Sequence, residues 1–311
     1  MRAYPGRAGR IAVRAMIARL KLNVRRKRKV IIAILALGFA VLAIANWQVG
    51  TYFLQPRPRT AGPLPPDLPG REVTFPSESG SQLRGWLIPA GTNAPVVICL
   101  HGVRGHRGGM LSRARFLHAA GYNVLAFDFQ AHGESPGQHI TFGYLEARDV
   151  TAAVEFVRRE CPGSKIAVLG VSLGGVAAAL AKPNPAVDAM ILEMIYPTID
   201  QAVEDRMAIV LGPAGKWLAP LLTWQIPFRL GISTSALRPI DTVATLTMPK
   251  LFIAGTADDH TTIAEARAIV RAAAEPKEFW EAPGVGHQDL HALAPKEYEK
   301  RILDFLKARL L

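Results

Sequence analysis

From residue 71 onward the chain switches repeatedly between two apolar spacings. "EVTF" (72–75) and "LRGWLIP" (83–89) predict a leading pair of strands. "APVVICLH" (94–101) is a continuous apolar run, as expected of a strand buried on both faces of a parallel sheet. "MLSRARFLHAA" (110–120) has helical spacing and stops at Gly121, and "YNVLAFDF" (122–129) is again a strand. Residues 141–160 predict a helix with Thr141 as a capping candidate. "KIAVLGVS" (165–172), "VDAMILEMIY" (187–196), "KLFIAGTAD" (250–258) and "KEFWEAP" (277–283) predict further strands. Helices are expected at 173–181, 262–274 and 296–311. This β-α alternation predicts an α/β class: a mostly parallel central sheet with helices on both faces. The stretch from about 197 to 247 breaks the rhythm and is expected to be a small helical cap inserted into one domain, 71–311.

The N-terminal pattern is different. Val30–Ala45 is sixteen residues without a polar side chain, and Val30–Trp47 as a helix is roughly 27 Å long, close to a bilayer's hydrocarbon core. Trp47, Tyr52 and Phe53 follow as interfacial aromatics. Residues 1–29 carry eleven Arg/Lys and no acid, which changes the meaning of the charge. The chain's net charge is +12, and subtracting those eleven leaves +1, so the main domain has no basic surplus pointing to nucleic acid. The expectation is a transmembrane helix over 30–47 with the basic tail cytoplasmic and the rest extracytoplasmic. "AIA" at 43–45 also fits a cleavage site, which gives a signal sequence and a secreted domain; Met16 as the start would shorten its lead. A buried core helix is the third reading. Val13, Met16, Ile17, Leu20 and Val24 form one stripe, consistent with a helix lying on an anionic surface or with a disordered basic arm. Six prolines in residues 55–70 predict an extended linker.

Cys99 and Cys161 cannot make a disulfide framework, and the chain has no H-E-x-x-H, Cys/His ligand cluster, phosphate-binding loop or dinucleotide fingerprint. No metal or cofactor is implied. The chemistry concentrates in "GVSLGG" (170–175), which follows one predicted strand and opens a predicted helix. In that setting G-x-S-x-G is a nucleophile elbow: a sharp turn lifts the serine Oγ above the sheet edge, and flanking glycines let backbone approach closely. Leu173 N–H, at the helix start, can face a developing oxyanion. A serine needs a base and an orienting acid. Asp258 ends one later strand and His287 follows another, both at the edge carrying Ser172. Ser172 is therefore the candidate nucleophile, His287 the base and Asp258 the orienter, ahead of its neighbour Asp259; Glu193, at a strand end, is a further acid. Val103 N–H, in the loop after "VVICLH", is the second oxyanion candidate, with His101 and Gly102 shaping the turn.

"HGVRG" (101–105), "DFQAHGESPG" (128–137), "GVSLGG", "GTADD" (255–259) and "GVGH" (284–287) occur in the order of the α/β-hydrolase superfamily. The chain resembles its serine aminopeptidase-like and monoglyceride-lipase-like branch over about residues 71–311. The resemblance implies the α/β-hydrolase fold, a Ser-His-Asp triad and hydrolysis of an ester, thioester or amide. Gln130 and Ala131 depart from the family's Arg-Gly, which bears on local packing and subfamily. The expected function is a serine hydrolase acting on a small-molecule or lipid-like acyl substrate at a membrane, the apolar 197–247 region with Trp217, Trp224 and Phe228 either lining an acyl pocket or merely packing on the core. An amidase or peptidase would need an acidic anchor, Glu193 or Asp259, for the substrate amine; a triad-bearing but inactive binding protein is the non-enzyme alternative. Arg104 and Arg107 beside the oxyanion loop read either as contacts for an anionic substrate or as solvated side chains. The oligomeric state is not legible.

Overall fold

The computed structural model describes residues 7–182 and 186–311, in two units, one through Thr51 and one from Tyr52 to Leu311. Arg2 and its neighbours at the start of the basic tail lie outside the described residues. The sequence divides the N-terminal region into a basic arm and an apolar span. The structure instead runs a single helix, α1 (Arg7–Leu54), through both. No proline interrupts that stretch, and Pro56 lies just beyond its end, where it disfavours further helix. Its apolar window has mean hydropathy 2.5 and is wholly unburied, a composition suited to a bilayer or to a signal sequence.

In the second unit, ten strands are described: β1 (Arg57–Pro58), β2 (Arg71–Pro76), β3 (Gln82–Ile88), β4 (Val96–Leu100), β5 (Asn123–Phe127), β6 (His132–Gly133), β7 (Ile166–Val171), β8 (Ala189–Glu193), β9 (Lys250–Gly255) and β10 (Lys277–Ala282). Eight of them form one sheet in the order β10-β9-β8-β7-β4-β5-β3-β2. The β2–β3 and β3–β5 pairs are antiparallel and the other five are parallel. Every side chain of β4 is buried. Val96, Ile98 and Leu100 enter one core and Val97 and Cys99 the other, so the period of two divides one apolar run between two layers. Cys99 thus packs as a small hydrophobe, and burial pushes its thiol up to about 12.

The helices are α2 (Leu111–Ala119), α3 (Tyr144–Glu160), α4 (Leu173–Leu180), α5 (Ile199–Leu211), α6 (Ala219–Thr223), α7 (Gln225–Leu230), α8 (Pro239–Val243), α9 (Ile263–Ala272), α10 (Leu290–Leu293) and α11 (Pro295–Leu310). α3, α4, α8 and α9 bury apolar side chains in the first core, and α2 and α11 in the second, which covers both faces. α3 begins after Gly143, and Thr141 still serves it: its Oγ1 accepts from Leu145 N–H at 2.8 Å.

The proline-rich stretch is not free of the domain. β1 pairs with β6 in parallel, Ala61 N–H donates to Glu134 at 3.1 Å, and Leu68 is buried. A proline lacks an N–H, but Arg57 and Arg59 keep theirs and reach the carbonyls of Ala131 and Gly133. The 197–247 region folds into α5–α8 with two short 3-10 turns. Ile199, Ile226, Ile232, Leu237 and Val243 seat it on the first core, whereas Trp217, Trp224 and Phe228 are 86%, 62% and 67% exposed.

The chain passes from β4 to β5 on one side and later returns to place β7 on the other side of β4. The crevice between the C-terminal ends of β4 and β7 is therefore the topological switch point, where ligands bind in open α/β sheets.

Candidate active site

Ser172 sits between β7 and α4 at φ 51°, ψ −116°, a conformation that side chains rarely adopt. The flanking glycines make the turn possible. A Cβ on Gly170 would lie 2.5 Å from the Gly174 carbonyl carbon, and one on Gly174 would lie 2.4 Å from the Leu100 carbonyl oxygen. Ser172 N–H donates to the Glu193 carbonyl at 2.8 Å, which ties the elbow to the end of β8.

Asp258 follows β9 and His287 follows β10. His287 Nε2 lies 3.2 Å from Ser172 Oγ, and His287 Nδ1 lies 2.7 Å from Asp258 Oδ2. The two loops are joined directly. Ala257 N–H donates to the Val285 carbonyl at 2.9 Å and Gly284 N–H to Thr256 Oγ1 at 2.8 Å. Gly255 permits this approach, since a Cβ there would stand 2.1 Å from the Val285 carbonyl. Asp258 is buried, and its carboxylate also accepts from His260 N–H, Thr261 N–H and Thr261 Oγ1 at 2.8–2.9 Å. Burial raises its pKa, but the His287 contact and the Thr261 donors outweigh that and hold it below the usual carboxylate value.

After β4, Gly102 to Gly105 form a turn closed by Gly105 N–H on the Gly102 carbonyl at 3.0 Å, a bond in which Val103 N–H takes no part. Leu173, as the first residue of α4, has an N–H without an intrahelical acceptor. Gly102 brings this turn beside the elbow: a Cβ there would be 3.6 Å from Ser172 Cβ. His101 braces the turn from below. With its proton on Nδ1, the ring donates to the Gly102 carbonyl at 2.8 Å, and Nε2 accepts from Phe129 N–H at 3.2 Å. Burial first, and His132 next, push its pKa down to about 3, so it is neutral.

The family model described as "Serine aminopeptidase, S33" matches residues 91–228. The uncharacterized protein Rv2307c of Mycobacterium tuberculosis is 31% identical over 268 residues, 83% of this chain and 86% of that one. The chain belongs to the α/β-hydrolase superfamily. Among solved structures, the esterase Pf2001 of Pyrococcus furiosus superimposes with TM-score 0.70 at 25% identity, covering 83% of this chain and 99% of the esterase. Human monoglyceride lipase is 32% identical over 94 residues, 30% of this chain and 31% of the lipase. The protein is a hydrolase of this superfamily, and the mostly parallel sheet covered on both faces is its fold.

The remaining candidates of the hydrolase lie elsewhere. Glu193 is fully buried and engaged by Tyr298 Oη at 2.7 Å and Arg113 at 3.3 and 3.4 Å, so it is neither the acid on His287 nor an open anchor for a substrate amine. Asp259 is exposed, 3.7 Å from His260. Arg107 is not solvated: it is buried against Asp128, reaches Glu134 at 2.7 Å and lies over the Trp86 ring. Arg104 donates to the Tyr52 carbonyl at 2.8 Å and stacks on its ring.

Two side chains beside His287 were not among the sequence candidates. His260 stacks on His287 with ring centroids 4.7 Å apart and planes at 17°. Arg206, on α5, lies 3.1 and 3.3 Å from the His260 ring nitrogens, so the cap region touches the ring that covers His287. Burial, then the Arg206 and His287 charges, hold the His260 pKa below its ordinary value. "DDH" hints at His260, two residues after the acid; nothing local marks Arg206.

Proposed function

We propose that the hydrolase cleaves a carboxylic ester or thioester through an acyl-enzyme on Ser172. The observation that carries this reading is the hydrogen-bonded series Ser172–His287–Asp258 beneath a strained elbow. His287 Nε2 takes the Ser172 Oγ proton as Oγ attacks the carbonyl carbon. Asp258 fixes the ring's tautomer and stabilises the imidazolium. The N–H groups of Leu173 and Val103 receive the oxyanion. His287 returns its proton to the leaving alcohol or thiol. Water, deprotonated by His287, then releases the acid and restores Ser172.

Ester chemistry is favoured over peptidase chemistry because the better buried of the two acids suggested for an amine anchor, Glu193, is already occupied. The Pyrococcus esterase adds to this at 25% identity. The apolar outer face of the cap is the ground for expecting a lipid-like acyl substrate. Between Arg206 and Ile240 there is no Asp or Glu, and Trp217, Leu221, Trp224 and Phe228 are exposed there. With the apolar helix of the same chain this supports a membrane setting, and the eleven Arg/Lys in residues 1–29 are the ground for placing the domain on the extracytoplasmic side.

The test is hydrolysis of p-nitrophenyl esters from acetate to long acyl chains, beside matching anilides. Esters turned over faster than anilides, a rise in rate with chain length, and loss of ~10³-fold or more in Ser172→Ala are expected. Full ester turnover by Ser172→Ala contradicts the mechanism, and a flat chain-length series contradicts the acyl preference.

A further inference from the structure

The loop that carries His287 is held from both sides. On its N-terminal side the Val285 carbonyl accepts from Ala257 N–H. On its C-terminal side, two residues past His287, Asp289 Oδ1 lies 2.9 Å from Arg113 Nη2. Between these points the chain makes one tight turn, with Gln288 N–H on the Gly286 carbonyl at 2.8 Å. Gly284, at φ 72°, and Gly286 leave the segment little stiffness of its own.

Arg113 comes from α2 and is buried. Its Nε donates to Tyr298 Oη on α11 at 2.8 Å, and its Nη2 faces both Glu193 oxygens. Tyr298 Oη in turn donates to Glu193 at 2.7 Å. Glu193 ends β8, and its backbone carbonyl accepts the Ser172 N–H. One side-chain network thus connects the backbone partner of the nucleophile to the loop of the base.

The charges in this network are unequal. Glu193, fully buried, already balances Arg113. Asp289 is a second carboxylate, 47% exposed at its side chain. It is not required to neutralise a buried cation. What its ion pair with Arg113 fixes is the position of the chain just after His287. Burial works against the Arg113 charge, yet Tyr298, Glu193 and Asp289 together raise its pKa, so the anchor stays cationic.

We propose that Asp289 is a positioning residue for catalysis, acting through the buried Arg113–Glu193 pair to hold the His287 loop in register with Ser172. The inference rests on the triad reading above. A general base works within about 2.6–3.2 Å of the proton it takes, and a displacement near 1 Å costs on the order of 10²-fold. His287 Nε2 stands 3.2 Å from Ser172 Oγ, so a loosened loop leaves no margin.

Asp289 also caps α10, accepting from His291 N–H at 3.1 Å, so the test must separate capping from the tie to Arg113. Asp289→Ser keeps a capping oxygen and loses the reach and charge for Arg113. Asp289→Asn keeps an acceptor in the same place. In the full-length protein, Asp289→Ser is expected to lower kcat about tenfold with KM unchanged, because only the geometry of the base is disturbed. Its Tm is expected to stay within about 3 °C of wild type. Asp289→Asn is expected to recover most of the rate. Wild-type kcat in Asp289→Ser overturns the proposal, as does a rate loss matched by a large fall in Tm or not recovered by Asp289→Asn. Ser172→Ala and His287→Ala, assayed in parallel, keep the two readings apart: full activity in either contradicts the triad, whatever Asp289 does.

Discussion

At the scale of single residues, backbone clearance decides what can stand in the elbow. Gly170 and Gly174 are needed because a Cβ on either would overlap backbone atoms that cannot rotate away. Gly174→Ala is therefore expected to cost about 3 kcal/mol or more, read as a Tm lowered by roughly 10 °C. Gly102→Ala is the contrast, since its nearest neighbours would lie at 3.6 Å and its Tm should barely move. Thermal unfolding of both variants checks this, and equal losses would refute the clearance argument. These glycines were legible because spacing around a serine at a strand end has few meanings. The fates of Arg104, Arg107 and Glu193 were not. Whether a charged side chain is buried depends on partners distant in sequence, such as Asp128 for Arg107 and Tyr298 for Glu193, and no local pattern encodes them.

At the scale of elements, the active-site edge is assembled from loops after β4, β7, β9 and β10, and buried histidines hold one of them in place. His101 links the β4 loop to the turn after β5, and His132 packs beside it with centroids 5.2 Å apart. Burial lowers the pKa of both, to about 3 for His101. The folded state thus binds a proton less readily than the unfolded chain. Their contribution to stability is complete above pH 6.5 and is lost as pH falls from there toward 3. Asp149 has the opposite sign. Burial raises it to about 7, so it favours the folded state most in acid and least above neutrality. His260 shares the sign of the two histidines, and Glu265, raised by burial to about 7, shares that of Asp149. With three histidines against two carboxyls, Tm is expected to fall as pH is lowered from 6.5 to 4, by calorimetry; a rising Tm would show that the histidines do not dominate. The β-α alternation itself was readable, because strands buried on both faces are continuous apolar runs. Residues 55–70 were less so: six prolines suggest a free linker, and the N–H groups between them found acceptors in a turn distant in sequence.

At the scale of the whole molecule, the chain joins a hydrolase to an apolar helix, and the sequence alone leaves an anchor and a cleaved signal both open for that helix. A retained span keeps the protein in the membrane pellet after alkaline carbonate, the expected outcome, whereas release of a shortened chain would identify a cleaved signal. The meeting of Ser172, Asp258 and His287 was legible from their positions at strand ends, whereas the charged side chains around them were not, because Arg206 and Arg113 arrive from α5 and α2 by packing. The central claim is that Ser172 is an activated nucleophile. It is tested most directly by reacting a fluorophosphonate probe with wild type and Ser172→Ala and mapping the modified peptide by mass spectrometry. The expected result is one adduct, on Ser172, absent from the variant. A folded wild-type protein that takes up no probe, or carries it on another residue, would contradict the account.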